Sequence, residues 1–284
     1  MAESIWRQVD TDNSTMRMHV SLPTGAGPFP AVVVIQHQGG VDEFVQNITR
    51  RLAESGYVAA APDLYHRDGP ECTDDIVTRR TRLRDRNIIN DVNATVAFLQ
   101  QHDSGDGTRL AIIGFCMGGR IAYLMAAANS TFKASVAYYG GNILRAWGRD
   151  IPSPFERTSE IHCPIQGHFG EEDKNPSPED TRTLDAELTK FNKKHDFYSY
   201  PNAGHAFMDN TKESYRRLAD EGLVAENVGI LGAPSGLAGG TTGSACALAE
   251  GTEKREDDDG KTSHHNGSSL SSTLTGIDRW RNRH

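Results

Sequence analysis

Apolar residues in this chain fall in short runs, separated by longer stretches with one apolar face. Pro30-Ala-Val-Val-Val-Ile-Gln36 is continuous and β-branched, which predicts a central strand buried on both faces. Gln38-Gly-Gly40 breaks the chain. Val41, Phe44, Val45, Ile48 and Leu52 then share one stripe of a predicted helix, stopped by Gly56. Met16 to Leu22 predicts an earlier strand, and Tyr57 to Ala61 the next one, closed by Pro62-Asp63. Ile88, Val92, Val96 and Leu99 mark a second helix. Leu110 to Phe115 predicts a buried strand, and Ile121 to Ala128, rich in Ala, Leu and Met, a helix. Lys133 to Tyr139 and Ile161 to Phe169 follow as strands, with an irregular stretch from 142 to 160 that suits a loop over a site. Asp180 to Asn192 reads as a helix and Asp196 to Tyr200 as a strand. Strands alternating with helices to about residue 215 predict an α/β fold, with a mostly parallel central sheet and helices on both faces. In such sheets the reactive residues sit on loops at the carboxyl ends of strands.

From about Gly222 the character changes. Residues 229–251 are rich in Gly, Ala, Ser and Thr, and 252–284 are charged and polar. Neither stretch sustains an apolar period, so the expected organisation is one domain over 1–222 and a disordered tail over 223–284. The apolar content of 37% over 284 residues agrees with a polar segment outside the core. A net charge of −8 and the lack of a basic cluster argue against a nucleic-acid surface. No apolar run approaches membrane-spanning length, and the first residues lack a signal-peptide core. Cys72, Cys116, Cys163 and Cys246 are scattered without metal-ligand spacing. The expectation is a cytoplasmic, monomeric protein with reduced thiols and neither metal nor cofactor.

The chemistry centres on Gly114-Phe115-Cys116-Met117-Gly118, the G-x-nucleophile-x-G spacing of a nucleophile elbow with Cys in the central place. A strand turning directly into a helix strains that residue's backbone and leaves no room for side chains two positions away. The helix N-terminus aims unpaired N–H groups at the sulfur and favours thiolate. Asp173 and His205 follow at predicted strand ends, in the chain order nucleophile, acid, histidine of α/β-hydrolase triads. Cys116 is expected to attack a carbonyl, His205 to move the proton, and Asp173 to orient the imidazole. The oxyanion donors are expected from the N–H of Met117 and from Gln38.

With these residues in place, the chain resembles the dienelactone hydrolase (carboxymethylenebutenolidase) family. The resemblance runs over roughly residues 15 to 217. It rests on Val32-Val-Val-Ile-Gln36, the stretch Arg51 to Tyr65 ending Ala-Pro-Asp-Leu-Tyr, Gly114-Phe-Cys-Met-Gly-Gly-Arg120, Ala137-Tyr-Tyr-Gly140, Gly170-Glu-Glu-Asp173 and Tyr200-Pro-Asn-Ala-Gly-His-Ala-Phe207. It implies a compact α/β-hydrolase that opens lactones with a Cys-His-Asp triad and no metal, acting on a small-molecule lactone or ester.

Departures from the family shape further expectations. The best-known members carry Glu one residue after the Gln that matches Gln36, where this chain has His37; His37 is expected to tune Cys116 ionisation. The family holds its substrate carboxylate with arginines. Arg82, with Arg79 and Arg80 as alternatives, is the expected counterpart, and Tyr139 is a further substrate-side candidate. Asp209, four residues after His205, is expected to disfavour a carboxylate. The closing helix of the family finds only a partial counterpart, beginning at Ser214 to Leu223. Readings that stay open are a general esterase or thioesterase, a ligand-binding relative without turnover, and a redox-sensing thiol.

Overall fold

The computed structural model describes residues 2–209, 215 and 278–280. Among the described residues, nine strands form one sheet. They are β1 (Glu3–Thr11), β2 (Ser14–Leu22), β3 (Phe29–Ile35), β4 (Val58–Pro62), β5 (Gly105–Phe115), β6 (Phe132–Tyr138), β7 (Ile165–Gly170), β8 (His195–Tyr200) and β9 (Asp278–Trp280). Their order across the sheet is β1-β2-β4-β3-β5-β6-β7-β8-β9. Every neighbouring pair from β4 through β8 is parallel; β1/β2, β2/β4 and β8/β9 are antiparallel.

The β-branched run 30–36 becomes β3, whose seven residues are all buried. Its alternation divides the core. Ala31, Val33 and Ile35 join the face packed by α3 (Asp85–Gln101), α4 (Met117–Ala128) and α5 (Pro178–Lys190), while Val32 and Val34 join the face packed by α1 (Glu43–Glu54). A fully buried Val or Ile contributes about 1.5–3 kcal/mol, so this strand needs both layers of helices to exist. The helix ends have local causes. Asp42 caps α1 by accepting from the Val45 N–H, and Ser177 with Asp180 forms a capping box on α5.

The expected α/β architecture is what the chain adopts, with local differences. The periodic stretch missed β1, an edge strand whose residues are mostly exposed and carry no clean alternation. Strand β7 starts at Ile165 rather than Ile161. Pro164 cannot donate to a ladder, and its carbonyl instead accepts from the Ser135 N–H at 3.0 Å. Helix α4 starts at Met117, immediately after the elbow, so Gly118 and Gly119 are helical. The boundary at 222, the tail and the helix beginning at Ser214 lie outside the described residues, apart from the backbone of Asp278–Trp280 in β9. No helix among the described residues is long and apolar enough to cross a membrane.

Candidate active site

Cys116 is the single residue between β5 and α4, with φ +58° and ψ −118°. A non-glycine residue there is strained, and close packing on both sides holds it. A Cβ on Gly114 would lie 2.0 Å from the Gly118 carbonyl oxygen, and one on Gly118 would lie 2.4 Å from that of Ile35. Only glycine lets the helix come this near to the strands. The Cys116 N–H donates to the Tyr138 carbonyl at 3.0 Å, tying the elbow to β6. The thiol is half-buried at the start of α4, where the Gly119 and Arg120 N–H groups turn back to the Cys116 carbonyl at 3.0 and 3.3 Å. Cys163 provides the contrast: burial pushes its thiol up to about 12, in surroundings that suit an inert residue.

The acid and the histidine come from neighbouring loops. Asp173 follows β7 and His205 follows β8, and these loops are stitched by Glu171 N–H to Tyr200 carbonyl at 3.1 Å and Glu172 N–H to Ala203 carbonyl at 3.0 Å. His205 Nδ1–H donates to Asp173 Oδ2 at 2.7 Å. The other Asp173 oxygen accepts from the Asn175 N–H at 2.9 Å. Cys116 lines the same cavity as His205 and lies near enough to act on its pKa. Burial alone would lower the imidazole pKa. The bond to Asp173 and the negative charge of Cys116 and Asp173 outweigh it, and His205 is raised to about 10.

These groups open on a cavity of about 460 Å³ lined by Cys116, His205 and Asp173 together with Gln38, Met117 and Arg80. Both expected oxyanion residues are present. The Gln38 carbonyl accepts from the Tyr65 hydroxyl at 3.0 Å, and the Gln38 side-chain oxygen accepts from Arg80 Nη1 at 3.3 Å. Tyr65 also touches Met117 Sδ at 3.7 Å, so one phenol braces both residues. The Ala-Pro-Asp-Leu-Tyr stretch ends on this residue, and that motif is the signal that could have flagged it.

Other expected residues are placed elsewhere. Both ring nitrogens of His37 are engaged in its own loop. Nε2 meets Asp42 Oδ2 at 2.8 Å, and Nδ1 accepts from the Gly39 N–H at 3.3 Å. Burial would raise the Asp42 carboxyl, but the His37 bond and the α1 cap hold it below its ordinary value. The expectation that His37 acts on Cys116 therefore gives way to a loop-bracing role. Arg82 does not line the cavity; it is engaged with Asp68, Asp74 and Cys72. Arg80, two residues earlier on the helix α2 (Ile76–Arg82), lines the cavity instead. Tyr139 is buried, edge-on to His205 at 5.2 Å, and packs against the imidazole rather than lining the cavity. Asp209 is buried, is absent from the cavity wall and interacts with Tyr139, which removes the reason given for excluding a carboxylate. Asn142, Trp147, Lys174 and Asn175 complete the wall from loops whose sequence carries no chemical motif.

Comparison with known proteins agrees with this geometry. The model of the dienelactone hydrolase family matches residues 16–233. A relative from Escherichia coli strain K12, named "Putative carboxymethylenebutenolidase", is 37% identical over 208 residues, covering 72% of this chain and 76% of its own. A Bradyrhizobium relative, named "Probable 2-oxo-3-(5-oxofuran-2-ylidene)propanoate lactonase", is 31% identical over 225 residues, covering 75% and 88%. The crystal structure of a "Putative Dienelactone Hydrolase" from Klebsiella pneumoniae subsp. pneumoniae MGH 78578 superposes with a TM-score of 0.69 at 30% identity, covering 78% of this chain and 95% of that one. With the match spanning strands β3 to β8, the elbow and both partner loops, this chain belongs to the dienelactone hydrolase family and is a hydrolase of the lactone and ester class.

Proposed function

We propose that the chain hydrolyses lactones or carboxylic esters through Cys116 as nucleophile, His205 as acid and base, and Asp173 as the residue that orients His205. The observation that carries this reading is Cys116 in the strained elbow, sharing one cavity with a His205 that is itself held 2.7 Å from Asp173. His205 holds the thiol proton, and Sγ attacks the carbonyl carbon. A C–S bond forms, and the carbonyl oxygen becomes an oxyanion facing the Met117 N–H and the Gln38 loop. Collapse breaks the C–O bond, and the leaving oxygen takes the proton from His205. In a lactone that oxygen stays tethered to the thioester. Water, giving its proton to His205, then attacks the thioester and releases a carboxylic acid and the free thiol.

Arg80 and Lys174, both lining the cavity, suit a substrate with a carboxylate near the reacting carbonyl, while Glu172 in the same lining limits how much negative charge it accepts. The test is burst and steady-state hydrolysis of an activated ester, of a neutral lactone and of a carboxylated dienelactone. Cys116→Ala is expected to lose activity by about 10⁴-fold or more. A folded Cys116→Ala that keeps turnover would sink the nucleophile. Equal kcat/KM on neutral and carboxylated lactones would sink the role given to Arg80.

A further inference from the structure

Beyond the catalytic cavity lies a second one of about 710 Å³, and the two share Arg80, Asn142 and Trp147. Its wall also holds Arg84, Arg145 and Arg149. Four arginines thus share this wall with one carboxylate, Asp150, which is bonded to Arg86 and also feels the charge of Arg84. Among the described residues, none of the four makes an ion pair with a carboxylate. Arg80 donates to the Gln38 amide, and Arg84 donates to the carbonyls of Thr81 and Leu83 at 2.7 and 2.8 Å. On a chain with a net charge of −8, this lip is a local reversal of sign beside the site.

The lip is also built. The loop that carries Arg145 and Arg149 is pinned by Arg120, from α4, and Asp85, from α3. They pair at 2.6 and 2.9 Å with no exposed side-chain surface. Arg120 further donates to the carbonyls of Asn142 and Arg145, and Asp85 takes the Trp147 N–H at 2.7 Å. The Arg120 guanidinium lies 4.0 Å from the centre of the Trp147 ring. Gly148, at φ +125°, leaves room for Asp150 and the Arg84 stem, which a Cβ would meet at 2.8 and 3.5 Å. A loop fixed at this many points holds its arginines near one another against their mutual repulsion.

We propose that this second cavity is a subsite for a multiply charged anionic arm of the substrate, a phosphate or diphosphate carried on the ester or lactone being cleaved. The proposal rests on the reading of Cys116 as nucleophile. One carboxylate is satisfied by one arginine, whereas guanidiniums spread along a groove suit several phosphate oxygens. The volume lies in the range that encloses a small-molecule group. A nucleic acid would need a longer basic stripe than this confined lip.

The test compares two p-nitrophenyl esters that differ only in the end of the acyl chain, neutral in one and a phosphate monoester in the other. The ratio of their kcat/KM values is measured for the full chain and for Arg145→Ala/Arg149→Ala. These two side chains are exposed and carry no structural bond, so the variant is expected to fold. The intact protein should prefer the phosphorylated ester by about tenfold, and the variant should lose most of that preference. A ratio at or below one in the intact protein, or an equal ratio in both proteins, would overturn the subsite. Cys116→Ala separates the two readings. Turnover that survives in it refutes the nucleophile, whereas Cys116-dependent turnover without phosphate preference refutes only the subsite.

Discussion

Arg120 and Arg82 each grip aspartate, one pair sealed from solvent and the other half in water. Arg120 and Asp85 are both 0% exposed, whereas Arg82 and Asp74 are 46% and 45% exposed. Burial pulls the Arg120 pKa below its ordinary value, and the bond to Asp85 opposes it. The sealed pair has no second source of solvation, so each partner is the other's solvent and the loop carbonyls complete the shell. Arg82 has water as well as Asp68, Asp74 and Cys72, so its bonds are exchanged rather than gained. The number of bonds a charged residue makes therefore says little about its weight; what matters is what would replace those bonds. Asp173 and His205 lie between the extremes, with side chains 3% and 37% exposed.

The largest effect should come from breaking the sealed pair. Asp85→Ala leaves Arg120 charged and unpaired, and is expected to cost about 3–5 kcal/mol in urea unfolding. Asp85→Leu combined with Arg120→Met should recover most of that loss. A cost below about 1 kcal/mol for Asp85→Ala would dissolve the contrast with Arg82. The intermediate pair is read through pH. The His205 pKa is raised in the folded state from 6.5 to about 10. Its contribution to stability is therefore complete below the unfolded value of 6.5 and is lost as pH rises towards 10. Melting temperature followed across that window should fall in the intact protein and fall less in Asp173→Asn; identical slopes would refute the assignment. The smallest effect belongs to the wet pair, with Arg82→Ala expected to shift Tm by no more than about 2 °C.

The same distinction governs what could be read from the sequence. The strands β3 to β8, the elbow and the order of Cys116, Asp173 and His205 were legible because each rests on a local pattern: β-branched runs, a G-x-C-x-G spacing, loops at strand ends. Arg79 to Arg86 was not legible in this way. Whether an arginine faces the cavity, as Arg80 does, or a carboxylate, as Arg82 does, depends on Asp68 and Asp74 approaching from elsewhere in the chain. His37 was misread for a related reason. Its partner Asp42 is close in sequence, but the turn that brings them together depends on Gly39, whose Cβ would meet the ring at 2.5 Å. Tyr139 and Asp209 were misplaced because both are buried, and their electrostatic coupling joins two loops 70 residues apart by number. The buried partnership of Arg120 with Asp85 had no sequence signal at all, although Arg120 stands at the end of the elbow motif.

The contact between α4 and β3 through Gly118 has a consequence for how such a protein can change over time. The thiol is located by main-chain atoms meeting main-chain atoms, with a carbonyl of one strand standing where a methyl would have to go. Neighbouring loops and side chains can therefore be exchanged for others of similar volume while Cys116 stays where it is. The cavity wall and the elbow are written in different materials, so a lineage can change Arg80, Asn142, Trp147 and Lys174 on that wall without moving Cys116.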